Sequence, residues 1–413
     1  MSRHRTNSPP VKGEYPEGGR GLVPKLRFPE FRDAGEWEVK SLKSICFMQA
    51  GKFVSASGIF EHDKGDVYPC YGGNGLRGYT KTYTHSGKYP LIGRQGALCG
   101  NVNLVNGKFH ATEHAVVVTP KEDINADWLF YTLDLLNLNR FATGQAQPGL
   151  SVEVLEKVSS TVPKKEKEQQ KIADCLSSFD ELITAEAQKL DTLKAHKKGL
   201  MQQLFPAEGE TVPKLRFPEF RNAGVWEEKQ LGDVSPSIFD GTHQTPTYVA
   251  EGIPFYSVEN IASGNKNKFI TREDYLLATS KNKPGFGDIL ITRIGRIGFS
   301  LVVDWNHEFS IYVTLAVIKK SKLFNSYYLN GYFQSERYQS EIMRKSLLNA
   351  VPCKINMDEL RKTVVLFPSL SEQQKIASCL SSLDDLITAQ TQKIEALKTH
   401  KKGLMQQLFP TLD

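Results

Sequence analysis

The sequence predicts an α+β chain built as an internal repeat. Two α/β bodies with twisted, mostly antiparallel sheets are separated by two long helices that pack as an antiparallel coiled coil. Three observations predict this. A 39-residue stretch occurs twice, residues 168–206 (EQQKIADCLSSFDELITAEAQKLDTLKAHKKGLMQQLFP) and 372–410 (EQQKIASCLSSLDDLITAQTQKIEALKTHKKGLMQQLFP), with nine differences. A second cassette, VPKLRFPEFRDAGEWEVKSL (23–42), returns as VPKLRFPEFRNAGVWEEKQL (212–231). Between cassette and helix lie two dissimilar bodies, 43–167 and 232–371, whose β-branched and aromatic runs are broken by glycine. Near-copies, the rods 204 positions apart and the connectors 189, mark a chain of two similar halves.

The repeated stretch reads as a rod. Ile172, Leu176, Phe179, Ile183, Leu190, Leu193, Leu200 and Leu204 fall on an alternating 4–3 spacing, and so do Ile376, Leu380, Leu383, Ile387, Ile394, Leu397, Leu404 and Leu408. Glu186 and Lys197 interrupt the first register, Gln390 and Lys401 the second. A narrow apolar seam of this period is the mark of helices that wrap around each other. Ser371 with Gln374 reads as a capping box, and Pro206 and Pro410 end the helices. In each copy the acidic residues come early and the lysines late. That pattern complements the helix dipole, and it also sets acidic ends beside basic ends if the two copies run antiparallel.

The remaining segments follow in order. Residues 1–22 are rich in Pro, Gly, Ser, Arg and Glu with no apolar period and read as a disordered tail. The domain limits expected are therefore 1–22 tail, 23–167 first body, 168–206 first rod, 207–371 connector and second body, and 372–413 second rod. Trp37 and Trp226 are expected anchors of the connectors. DVYPCY (66–71), YPLIG (89–93), AVVV (115–118), DILIT (288–292) and VTLAVI (313–318) are strand-like, with helical patches near 126–140 and 325–344. Two landmarks survive between the bodies. Arg94 in LIGRQG matches Arg293 in LITRIG, and Pro148 is matched with Pro352.

Composition limits the function. A net charge of +6 permits a polyanionic partner. Six scattered cysteines, without paired spacing, fit free thiols in a reducing compartment. No apolar run is long enough to span a bilayer and there is no signal-peptide core, so a cytoplasmic protein without membrane attachment is expected.

Catalytic and metal motifs fail on context. Gly73–Gly78 matches G-x-G-x-x-G, but neither a helix nor an acid about 20 residues on follows, as a dinucleotide site requires. His110-Ala-Thr-Glu-His114 matches a zinc-protease pattern that needs a helix. In a strand its histidines stand about 13 Å apart. Glu38-Val39-Lys40 lies in the repeated connector. No P-loop, methyltransferase motif or nucleophile elbow occurs, so no catalytic residue, metal or cofactor is assigned to this chain. What remains is recognition chemistry. Arg94, Arg293 and Arg296 sit in Gly-flanked turns, and an arginine fork can read guanine O6/N7 or grip phosphate. Tyr71, Asn74, Arg77, Gln145, Gln147, Thr242 and His243 lie on further exposed loops. For each of these a structural turn role stands beside a base contact.

The duplicated EQQKIA…LFP helices, together with YPLIGRQGALCG…FHATEHAVVV…GQAQPGLS in the first body and FDGTHQTP…DILITRIGRIG in the second, resemble the DNA-specificity subunits of type I restriction-modification systems. The likeness covers residues 23–413. It departs where the second body has Ser346-Leu-Leu-Asn-Ala-Val-Pro352 in place of GQAQPGLS. The resemblance implies two target-recognition domains, each reading one half of a split, asymmetric site in double-stranded DNA, about one turn apart. It also implies rods that hold the domains apart and dock two methyltransferase subunits, and motor-nuclease (restriction) subunits that join them. S-adenosylmethionine, ATP and magnesium would act in those partners. The competing readings are a stand-alone nuclease or methyltransferase, or a coiled-coil adaptor that never touches DNA.

Overall fold

Two helices, Glu166–Leu204 and Leu370–Leu408, each run unbroken for 39 residues, about 58 Å at 1.5 Å per residue. The computed structural model describes residues 22–412 except 64, 97, 145–147 and 264–266. The expected N-terminal tail thus lies, but for residue 22, outside the described residues. The chain divides into two compact units, residues 1–187 with 393–413 and residues 188–392. Each unit contains the start of one long helix and the end of the other.

Within each unit the two helix halves run antiparallel. In the first, Lys393 pairs with Glu186 and Lys401 with Asp180, both at 2.5 Å. In the second, Lys197 pairs with Asp384 at 2.6 Å. Lys401–Asp180 and Lys197–Asp384 are the same pair in the two copies. Three of the four residues that interrupt the apolar seam, Glu186, Lys197 and Lys401, therefore carry ion pairs across it, and the fourth, Gln390, is buried. The seam is buried where it meets a body, at Ile172, Leu176, Leu204, Ile376, Leu380 and Leu408, buried also at Ile394, and half-buried at Phe179, Ile183, Leu190, Leu193, Leu383, Ile387 and Leu397. The cap of the second long helix is Ser369, whose Oγ accepts from Glu372 N at 3.3 Å, and not Ser371. The helix begins two residues earlier than the sequence pattern suggests, at Leu370.

Among the described residues the first unit holds eight strands: β1 (Glu38–Ser41), β2 (Cys46–Ala50), β3 (Tyr68–Gly72), β4 (Gly75–Thr80), β5 (His85–Gly93), β6 (Val102–Ala111), β7 (Ala115–Pro120) and β8 (Ser159–Val162). The order β2-β7-β5-β6-β3-β4 makes a six-stranded sheet, antiparallel except where β3 lies parallel to β6. In the second unit the strands are β9 (Glu227–Gln230), β10 (Ile238–Asp240), β11 (Tyr248–Val249), β12 (Ile253–Tyr256), β13 (Phe269–Ile270), β14 (Ile289–Thr292), β15 (Ser300–Val302), β16 (Ser310–Ile311), β17 (Leu315–Ile318) and β18 (Val364–Phe367). They form the sheets β10-β17-β14-β15 and β11-β13-β12-β16, with β12 parallel to β16. In each unit the connector strand pairs with the strand that precedes a long helix: β1 with β8, and β9 with β18.

The repeated residues fasten body to rod. Arg27 donates through Nε and Nη2 to both carboxylate oxygens of Glu168 (2.7 and 2.8 Å). Arg216 does the same to Glu372 (2.7 Å each). The next two glutamines hold the N-cap of a body helix. Asn125 donates its backbone N–H to Gln169 and its side-chain amide to Gln170. Asn325 donates likewise to Gln373 and Gln374. Trp37 and Phe409 pack edge-on in the first core, as Trp226 and Phe205 join the second, around Tyr328. EQQ and LFP are therefore joints.

Candidate nucleic-acid interface

One backbone frame recurs at the edge of each body. It is held by matched hydrogen bonds whose residues are separated by anything from 185 positions (Tyr71 to Tyr256) to 205 (Pro148 to Cys353). Lys52 N donates to Ala111 O, and Thr242 N to Ile311 O, at 2.8 and 3.1 Å. Thr112 N donates to Tyr71 O, and Tyr312 N to Tyr256 O, at 2.8 and 2.9 Å. Arg94 N donates to His114 O, and Arg293 N to Thr314 O, both at 2.9 Å. Leu150 N donates to Arg94 O, and Ile355 N to Arg293 O, again at 2.9 Å. Gly96 N donates to Pro148 O, and Gly295 N to Cys353 O, at 3.0 and 2.8 Å. The last pair corrects one landmark: the counterpart of Pro148 is Cys353, not Pro352, because loop lengths differ. Gly51 and Gly241 permit the close approach, since a Cβ there would lie 2.2 Å from Ala111 O and 2.1 Å from Ile311 O.

Four candidates meet at the first frame. Gly73-Asn74 is the tight turn between β3 and β4, and Gly73 sits against Arg94 N and His114 O. Asn74 and Arg77 are exposed, and Arg94 and Tyr71 are half-buried. Burial pushes the Tyr71 phenol up, and its ring meets Phe109 edge-on at 6.0 Å. Among the described residues the Arg94 guanidinium makes no hydrogen bond or ion pair. Gln145 and Gln147 lie outside the described residues. His110 is buried, with one ring nitrogen 3.1 Å from Thr82 Oγ1 and the other 3.1 Å from Lys52 O, a structural role.

The second frame uses its arginine differently. Arg293 is 7% exposed, and its guanidinium donates to Asp240 Oδ2, Val313 O and Ile355 O at 3.0, 3.0 and 3.3 Å. Burial pushes it below the ordinary arginine range, and Asp240 opposes that shift. Of the two roles the sequence leaves open for Arg293, this geometry favours the structural turn role, because its donors are taken by three segments of its own unit. Asp240 Oδ2 also lies 3.1 Å from His243 Nε2. His243 and Arg296 are exposed and Thr242 half-buried, with the Arg296 guanidinium 5.3 Å from the Phe299 ring centroid.

Three residues on these frames, Lys52 and Phe53 exposed and Tyr256 buried, are absent from the sequence expectations. Lys52 and Phe53 follow Gly51, Phe53 being 74% exposed, and they occupy the place of Thr242 and His243. Tyr256 occupies the place of Tyr71, with its hydroxyl 3.1 Å from His307 Nε2. No motif marks these positions, and only the recurring hydrogen bonds identify them. The frames offer cations, amides and aromatic faces, the groups that bind phosphate and base edges. Among the described residues no cluster of three His, Cys, Asp or Glu could hold a metal ion, and no helix is long and apolar enough to cross a membrane.

Comparisons with known proteins agree with this two-fold design. The chain is 49% identical over 154 residues to the EcoprrI specificity subunit of Escherichia coli, which takes in 37% of this chain and 38% of that one. It is 25% identical over 332 residues to a putative type I restriction enzyme specificity subunit of Haemophilus influenzae, covering 78% and 82%. The fold is similar to the S subunit of a type I restriction-modification system from M. genitalium, with a TM-score of 0.64 at 16% identity over 95% of this chain and 100% of that one. The model of the type I restriction modification DNA specificity domain matches residues 34–195 and again 224–399. With both halves matched, the chain belongs to the type I restriction-modification DNA specificity family and carries that domain twice.

Proposed function

We propose that this chain is the recognition subunit of a type I restriction-modification complex and reads an asymmetric, two-part site in double-stranded DNA. The observation that carries the reading is the recurrence of one backbone frame with different side chains. Equal frames suit two half-sites, and unlike side chains suit two different base sequences. The domain limits given above are kept as the proposed division of labour, with residues 23–167 and 207–371 as readers.

The rods support a second role as a docking surface for two methyltransferase subunits, with restriction subunits joining the assembly. Lys194 and Lys198 match Lys398 and Lys402, and all four are exposed. Core packing does not require such identity. Gly199 and Gly403 match as well, and a methyl group on either would meet nothing within 4 Å. A glycine inside a helix costs about 1 kcal/mol relative to alanine. Its retention in both copies where a methyl would fit supports close approach by a partner. S-adenosylmethionine, ATP and magnesium belong, on this reading, to those partners.

Methylome sequencing of the host with and without this gene tests the proposal: one split motif is expected to vanish with the gene. Two variants refine it. Arg94→Ala is expected to relax or abolish selection at one half-site alone, each good arginine–guanine contact being worth about 1–3 kcal/mol of discrimination. Equal loss at both halves would reassign Arg94 to phosphate. Four residues inserted into one long helix, about 6 Å, are expected to lengthen the unread spacer by one or two base pairs. An unchanged spacer would count against the helices as the ruler.

A further inference from the structure

Residues 347–354 of the second unit form a finger beside the arginine turn. Leu347 N donates to Lys354 O at 2.7 Å, and the two residues bridge as antiparallel strands. The neck is fixed: Cys353 Sγ donates to Gly295 O at 2.8 Å, Gly295 N donates back to Cys353 O, and Ile294 bridges Lys354. The tip is aliphatic and in water. Val351 is 100% exposed, Leu348 55% and Leu347 48%. Branched aliphatic side chains are stabilised by leaving water, yet this neck holds them out. At the foot of the finger stand two cations. Arg296 is exposed, and Lys354 has no carboxylate partner among the described residues.

An apolar tip flanked by cations fits a polyanion that also offers apolar groups. In duplex DNA the apolar group on a base edge is the thymine C5-methyl, which projects into the major groove. We propose that the 347–354 finger reads thymine methyl groups in the second half-site. This rests on the DNA-reading role proposed above. The first unit has the same neck, with Thr143 bridging Gly149 and Gly96 N donating to Pro148 O. Its sequence between is Gly144-Gln-Ala-Gln-Pro148, polar where the second is aliphatic.

The test uses the full-length chain and duplexes carrying the motif found in the host methylome. Each thymine of the second half-site is replaced in turn by deoxyuridine, which removes only the methyl. At one or two positions the native chain is expected to bind about four-fold more weakly, the effect of one buried methyl. The double variant Val351→Ala, Leu348→Ala is expected to bind more weakly than native and to ignore deoxyuridine there. Val351→Ile is expected to keep the response. The variants should unfold at the native midpoint, because the truncated side chains lie outside the core. Three results would overturn the finger: no thymine of that half-site matters, the double variant still senses deoxyuridine, or it loses binding to both duplexes equally along with DNA bending, as a minor-groove wedge would. Native chain that does not select its own motif would instead sink the underlying DNA-reading role.

Discussion

Replacing Arg293 with alanine is expected to lower the stability of the second unit by about 2–3 kcal/mol and to erase selection at one half-site, while Arg94→Ala leaves stability nearly unchanged. The two arginines occupy one backbone position, and their surroundings decide the difference. The Arg293 guanidinium is 7% exposed and joins three segments: Asp240 at the end of β10, Val313 in the turn before β17, and Ile355 beyond the finger. Removing it leaves two carbonyls without that donor and a carboxylate without its cation. The Asp240 side chain is 24% exposed, so water offsets part of that loss. Buried groups left unpaired cost about 1–3 kcal/mol each, and removing one member of a buried ion pair costs more. The segments released are those that carry Thr242, His243 and the finger, so recognition fails with the frame. Hydrogen exchange resolved along the chain measures the first effect, and methylome sequencing of the variant the second. Arg293→Lys is expected to recover part of the stability, because an ammonium keeps the Asp240 contact but cannot reach three acceptors with a rigid fork. If Arg293→Ala proved as stable as Arg94→Ala and merely changed the bases chosen, Arg293 would be a reader and not a keystone.

That contrast shows where the sequence stopped being informative. The 4–3 spacing was enough to find both rods, and the early acids and late lysines were enough to orient them, because helix period and charge are local properties. Identity at EQQ and LFP was equally visible, but its purpose was not. Glu168, Gln169 and Phe409 act on Arg27, Asn125 and Trp37, residues far away in the chain. The site was legible at the level of loops and not of roles. Arg94 and Arg293 look alike in LIGRQG and LITRIG. Their fates depend on whether an aspartate equivalent to Asp240 stands opposite, and the first body has Gln49-Ala50 where the second has Phe239-Asp240. Tyr256 escaped notice because insertions set it 185 positions from Tyr71, against 199 for the arginines.

The joint between connector and rod should respond even more strongly. Glu168→Ala is expected to cost about 3–5 kcal/mol, since it strands a guanidinium in a site where Arg27 is 7% and Glu168 1% exposed. Glu372→Ala strands Arg216 in the same way, but the two sites are unequal. Glu168 also accepts from Trp37 Nε1 at 3.2 Å, whereas Trp226 Nε1 is buried with no hydrogen-bond partner among the described residues. Losing Glu168 therefore orphans the Trp37 indole N–H, whereas the Trp226 N–H has no bond to Glu372 to lose, so Glu168→Ala should be the worse change by about 1 kcal/mol. Replacing both partners with apolar residues, Arg27→Met with Glu168→Leu, is expected to recover most of the loss, as it removes the stranded charge along with its pair. Urea unfolding of the three variants measures the series. A Glu168→Ala chain within 1 kcal/mol of native would mean that water reaches Arg27, and that body and rod are joined by Trp37 and Phe409 instead.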